Sequence, residues 1–194
     1  MMGSALAFPA AENGHEVHIV GTCLDDKIID GYLATGKHEK FCRPFPENVN
    51  YHYFKDWKTV VEGSDFVIGG VSSFGVDWFL EEILIQLDPE MPVLSVTKGL
   101  RATDDGSLLS YPGYWMSELA KRGIHRDICA VGGPCTSYEL VFKDPTEVAF
   151  CGWDNEVLRM MKQAMQRPYY HISLTNDVIG LESAVALKNA YAMA

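Results

Sequence analysis

Short apolar, β-branched segments alternate with longer helix-like ones along this 194-residue chain, and no other feature restricts its fold so strongly. HEVHIVG precedes LDDKIIDGYLATG, DFVIGGV precedes GVDWFLEEILIQL, and PVLSVTKG is followed by GYWMSELAKRG and then DICAVGG. Parallel strands need long crossovers, so this rhythm predicts an α/β protein with helices on both faces of a mostly parallel sheet. DFVIGGV and PVLSV are almost continuously apolar, which predicts central strands covered on both faces. The rhythm continues through EVAFCG, NEVLRMMKQAM and YYHISLT to a helix-like segment beginning at Asp177.

The formal net charge of −10 argues against broad adhesion to nucleic acid or anionic lipid, while leaving room for a local basic pocket. No apolar run reaches the ~20 residues of a membrane span, and Pro9, Glu12 and Asn13 interrupt the start too early for a signal peptide. A cytoplasmic protein is expected. The five cysteines, at positions 23, 42, 129, 135 and 151, form no CxxC pair and read as reduced thiols. His15 and His18 would point to opposite faces of a strand, so no metal site is expected.

The opening MMGSALAF fits the end of a G-x-G-x-x-G dinucleotide fingerprint, with Met1 and Met2 at its variable positions and Gly3 as its third glycine. A glycine that merely packs a helix start fits equally well. On the first reading the strand and first two glycines lie upstream. Val20-Gly21-Thr22-Cys23 carries no acid for a ribose, and Asp25 and Asp26 suit either that task or the first turn of a helix. The choice between NAD and NADP stays open.

Ligands of open parallel sheets sit at the carboxyl ends of strands. Val71-Ser72-Ser73-Phe74, Thr97-Lys98-Gly99 and the run from Gly132 to Ser137 occupy such ends. They offer hydroxyls, backbone amides and one cation for an anionic substrate, or are ordinary turns with a solvated lysine. In DVIGLESAVALKNAYAMA, Lys188-Asn189 interrupts an apolar helix. Desolvation lowers the pKa of a buried lysine so that it exchanges a proton near neutral pH, and the alternative is a side chain that snorkels to the surface.

Taken in order, Met1-Met2-Gly3-Ser4-Ala5-Leu6-Ala7, Thr97-Lys98-Gly99, Gly133-Pro134-Cys135 with Tyr138-Glu139-Leu140, and Asn176-Asp177-Val178-Ile179-Gly180 leading to Ala186-Leu187-Lys188-Asn189 resemble the NAD(P)-dependent glycerol-3-phosphate dehydrogenase family. The resemblance implies a Rossmann-type, doubly wound domain over residues 1–176 that lacks its first strand. Residues 177–194 would then be the first helix of an all-helical substrate domain cut short. It further implies hydride transfer between nicotinamide and a phosphorylated small molecule, interconverting sn-glycerol 3-phosphate and dihydroxyacetone phosphate for glycerophospholipid synthesis, in a homodimer.

By the same resemblance, Lys188 is the general acid/base and Lys98 a catalytic lysine that touches substrate and cofactor. Gly133, Cys135 and Asn189 contact substrate. Met1, Met2, Gly3, Thr22, Ser73, Phe74 and Ser137 line the NAD or NADP site. Cys135 departs from the family's Ser or Thr and is a weaker hydrogen-bond partner. The family's catalytic aspartate and the Arg-Asn pair that grips the phosphate have no counterpart in the chain. Two alternatives are a non-catalytic nucleotide-binding fragment and a related small-hydroxyacid dehydrogenase.

Overall fold

The structure is a computed structural model that describes residues 1–104 and 106–192, the last four as backbone. Its first elements are α1 (Met2–Glu12), β1 (Val17–Val20), α2 (Asp26–Thr35), β2 (Lys37–His38), β3 (Arg43–Pro44), β4 (Val49–His52), α3 (Trp57–Val61), β5 (Val67–Gly69), α4 (Val76–Phe79) and β6 (Val93–Ser95). There follow β7 (Leu100–Ala102), β8 (Leu108–Ser110), α5 (Tyr111–Lys121), β9 (Ile128–Gly132), α6 (Ser137–Phe142), β10 (Thr146–Cys151), α7 (Asn155–Met165), β11 (Tyr170–Thr175) and α8 (Val178–Ala192). The chain forms two compact units. One comprises Met1–Asp65, Cys135–Thr146 and Gln163–His171, and the other Phe66–Pro134, Glu147–Lys162 and Ile172–Ala194.

In the first unit β1 and β4 pair in parallel, from Val17 opposite Val49 to Val20 opposite His52. The small, apolar α1 packs against β1 and α6 and buries the run Ala5, Leu6, Ala7, Phe8, Pro9, Ala10 and Ala11. Asn13 and Gly14, the latter at φ +88°, end that helix before the strand. An aromatic cluster completes the core: the Phe8 and Phe45 rings stack at 5.0 Å, and Tyr32 meets Phe45 edge-on at 5.4 Å. His38 is buried beside them, with its Nδ1 accepting from the Lys40 amide at 3.1 Å. Burial, then the positive N-terminus and Lys40, push its imidazole down to about 4.

The second unit is built on a five-stranded sheet in the order β11-β10-β9-β6-β5. The β5–β6 and β6–β9 pairs are parallel, and β10 runs antiparallel to β9. Val93 and Leu94 of β6, between β5 and β9, are fully buried. β5 corrects an expectation: DFVIGGV is as apolar as a central strand, yet β5 closes the sheet order. An apolar run reports that both faces are covered; it carries no record of which strand lies alongside.

α5 starts on Ser110, whose hydroxyl accepts from the Gly113 amide, with Pro112 in the first turn where a missing N–H costs least. Its Trp115 is fully buried, and the indole N–H donates to the Val76 carbonyl at 2.9 Å. The helix-like segment GVDWFLEEILIQL is α4 followed by a wider turn over Leu80–Leu84, in which the Ile85 amide reaches back to the Leu80 carbonyl at 3.2 Å.

Candidate active site

Three strand-end loops of the second unit are tied together by short-range bonds. After β6, the Thr97 hydroxyl donates to the Val71 carbonyl beyond β5 at 2.7 Å. One residue on, Lys98 Nζ donates to the Gly133 carbonyl beyond β9 at 3.3 Å. That carbonyl is fixed by an unusual backbone. Gly133 has φ +143°, and a Cβ there would lie 2.9 Å from the Glu147 carbonyl oxygen of β10. Beyond β5, Ser73 is exposed on a single turn and the Phe74 ring is 98% exposed. Lys98 is half-buried.

Helix α8 closes against the same strand end. A Cβ on Gly132 would lie 2.6 Å from Val185 and 2.8 Å from Leu181, so the bare glycine lets the helix sit directly on β9. Leu181 also joins a small core with Ala130, Cys151 and Val178. The buried stripe of α8 is thus Val178, Glu182 and Val185, at helical spacing. Glu182 is only 3% exposed, and burial pushes its carboxyl up to about 7, with the Lys98 charge opposing the shift.

For Lys188 the structure favours the second of the two readings, a side chain that reaches solvent. Six residues beyond Glu182 it does not return to the buried stripe, and its side chain is exposed rather than desolvated. Ile179 and Leu187 of this almost uniformly apolar helix are exposed as well. The Asn189 side chain lies outside the described residues.

In the first unit the Ala5 amide bonds to the Met1 carbonyl at 2.9 Å. The amides of Met2, Gly3 and Ser4 therefore have no partner within α1, which turns a positive helix end outward. Met1 is exposed, and Met2 and Gly3 are half-buried. Beyond β1, the Thr22 amide and hydroxyl donate to Asp25 Oδ2 at 2.8 and 2.6 Å. Asp25 thereby organises the turn into α2. Cys135 is buried, with Sγ 3.4 Å from the Thr136 carbonyl. Ser137 opens α6, which begins with a reciprocal capping box between Thr136 and Glu139.

The expected residues thus divide by unit: Met1, Met2, Gly3, Thr22, Cys135 and Ser137 in the first, and Ser73, Phe74, Lys98, Gly133 and Lys188 in the second. The sequence reading missed Glu182. Its signal was present, since it is an acid in the small and apolar run GLESAVAL, just as Lys188 is a base after it.

A mostly parallel sheet with helical crossovers, whose strand-end loops bring a hydroxyl and a lysine together, defines an α/β protein of the dinucleotide-binding, Rossmann class. The family model for the N-terminus of NAD-dependent glycerol-3-phosphate dehydrogenase matches residues 1–158, and the chain belongs to that family. It is 31% identical to the NADP(+)-dependent glycerol-3-phosphate dehydrogenase of Archaeoglobus fulgidus, over 100% of the chain and 56% of the relative. With the chloroplastic NAD(+) enzyme of Oryza sativa it shares 26% identity over 99% of the chain and 42% of the relative. The chain therefore spans about half the length of the curated relatives it matches. Among solved structures, glycerol-3-phosphate dehydrogenase from Coxiella burnetii superposes with a TM-score of 0.83 at 20% identity, covering 99% of this chain and 56% of that one. The Saccharomyces cerevisiae enzyme gives 0.80 at 18% identity, covering 99% and 58%. Both likenesses show the shared fold.

Proposed function

We propose that this chain supplies the cofactor-binding part, residues 1–176, and the opening helix of a substrate domain, residues 177–194, in an oxidoreductase that interconverts sn-glycerol 3-phosphate and dihydroxyacetone phosphate. Family membership supports the reaction class. The observation that carries the reading is Lys98, an ammonium drawn onto the Gly133 carbonyl where three strand ends meet. A cation at that place suits a substrate that is anionic and whose reacting oxygen gains charge during reduction.

The residues present fit NAD or NADP. The outward amides at the start of α1, with Met1, Met2 and Gly3 beside them, suit a pyrophosphate. Also in the first unit, Thr22 suits the adenosine ribose and Ser137 adds a hydroxyl; in the second unit Ser73 offers another. Phe74 offers an open aromatic face. When bound, the nicotinamide supplies the hydride acceptor, or the donor in the reverse direction. Lys188, exposed on α8 and reachable by a ligand, takes the C2 hydroxyl proton and returns it in reduction. Lys98 orients the reacting oxygen, and Gly133, Cys135 and Asn189 hold the substrate. In this reading the enzyme is a cytoplasmic homodimer whose product serves glycerophospholipid synthesis.

The test is direct. Full-length protein mixed with dihydroxyacetone phosphate and NADH or NADPH is expected to bleach the reduced-nicotinamide band. No bleaching with either cofactor overturns the reading.

A further inference from the structure

Burying a carboxyl is costly unless it is neutral or paired, and Glu182 has been buried on a helix that otherwise packs through small and apolar side chains. Leu181, Glu182 and Val185 form one facet of α8. Leu181 and Val185 close directly over Gly132, and the next carbonyl along the chain, that of Gly133, receives Lys98 Nζ. Glu182 therefore sits on the helix that covers Gly132, Lys98 reaches the neighbouring Gly133 carbonyl from the loop after β6, and the Lys98 charge acts on the buried carboxyl.

From this juxtaposition we propose that Glu182 is a positioning residue for Lys98: its buried carboxyl sets the net charge that the Lys98 ammonium presents, so that an anionic substrate binds together with a proton. The inference rests on the reading that Lys98 meets that substrate. With Glu182 neutral, the full positive charge of Lys98 faces the ligand. With Glu182 ionised, the carboxylate and the ligand compete for the same cation, and binding weakens.

β8 brings no titratable side chain to the helix. The thiols of Cys129 on β9 and Cys151 on β10 are pushed up to about 12 by burial, and so stay neutral. Asp177 precedes α8 and Lys188 is exposed on it, whereas Lys98 is the charge that acts on Glu182. Its raised proton affinity brings the switch into the neutral range, with the carboxyl losing its proton near 7 instead of 4.5.

Two readouts in the full-length protein test the pair. KM for dihydroxyacetone phosphate is expected to rise about fivefold from pH 6 to 8 in the unaltered protein, relative to Glu182→Gln, which keeps the low-pH value throughout. The substrate's own phosphate ionisation is common to both proteins and cancels in that ratio. Glu182→Asp is expected to restore the step. A ratio that stays constant across the range overturns the proposal.

Calorimetry with inorganic phosphate at pH 7.5, in buffers of different ionisation heat, is expected to show proton uptake by the unaltered protein well above that of Glu182→Gln. Equal uptake overturns the role of Glu182. Because this second readout needs no turnover, an inactive enzyme would count against the reaction assigned above and not against the pair. Should Glu182→Gln fail to fold, the δ-carboxyl carbon resonance decides: its midpoint is expected to move upward in Lys98→Met, and an unmoved midpoint overturns the coupling.

Discussion

At Gly133 a methyl group would lie 2.9 Å from the Glu147 carbonyl oxygen and 3.0 Å from the Val148 Cα, on a backbone whose φ of +143° already strains any L side chain. Gly133→Ala must move main chain that also carries the Lys98 acceptor. We expect it to destabilise the protein by about 2–4 kcal/mol in urea melts and to raise KM for the phosphorylated substrate. Lys188 makes the opposite case, because it is exposed and its removal leaves no hole. Lys188→Ala is expected to lower kcat by about a hundredfold or more while cofactor affinity, read by fluorescence quenching, stays within about twofold. Turnover within about threefold of the parent would reject the acid/base role. The contrast between Lys188 and Glu182 was not legible in the sequence, where both stand as lone charges in one apolar run. Only the docking of α8 over Gly132 decides which of them is covered.

Arg126 shows how an element is held by a residue outside it. Its guanidinium is buried just before β9, with Nη1 donating to the Met91 carbonyl at 2.9 Å and Nη2 to the Leu87 carbonyl at 2.8 Å and to the Asp88 carbonyl. These carbonyls shape the turn that feeds β6, so one side chain ties the entries of two neighbouring parallel strands. Arg126→Ala would leave several acceptors buried and is expected to cost about 2–4 kcal/mol, seen as a lower urea midpoint. Arg126→Lys is expected to recover little, because an ammonium lacks the planar fork that spans them. At this scale the periodic elements were readable and the irregular ones were not. β4, with His52 and Tyr51 among its four residues, and the two-residue strands β2 and β3 carry no apolar run to announce them. The antiparallel turn of β10 was equally silent, since strand direction depends on the path of the connection and not on the strand's own residues.

For the whole molecule, two buried groups bend stability in opposite directions with pH. His38 is held neutral with its proton affinity lowered to about 4, whereas the unfolded chain protonates it near 6.5. Its contribution is present above 6.5 and is lost as pH falls towards 4, on the order of 3 kcal/mol in full. Glu182 has the reverse sign: its contribution is present below the unfolded value of 4.5 and is lost as pH rises through about 7. Urea midpoints are therefore expected to peak between about pH 5 and 6.5, with His38→Leu flattening the acid side and Glu182→Gln the alkaline side. A midpoint that climbs steadily from pH 5 to 8 would contradict the Glu182 assignment, and one that does not fall between pH 6 and 4 would contradict that of His38.

By itself the sequence determined the α/β class, the order of the periodic elements and the family. Those properties are written in local composition and in spacing along the chain, which folding does not change. Tertiary structure alone decided that β5 closes its sheet order, that Asp25 serves Thr22 at the turn into α2, that Lys188 stays in solvent and that Glu182 does not. Each of these depends on which face of an element meets a neighbour. Burial in turn sets the charge a side chain carries, a quantity that residue type and position along the chain do not contain.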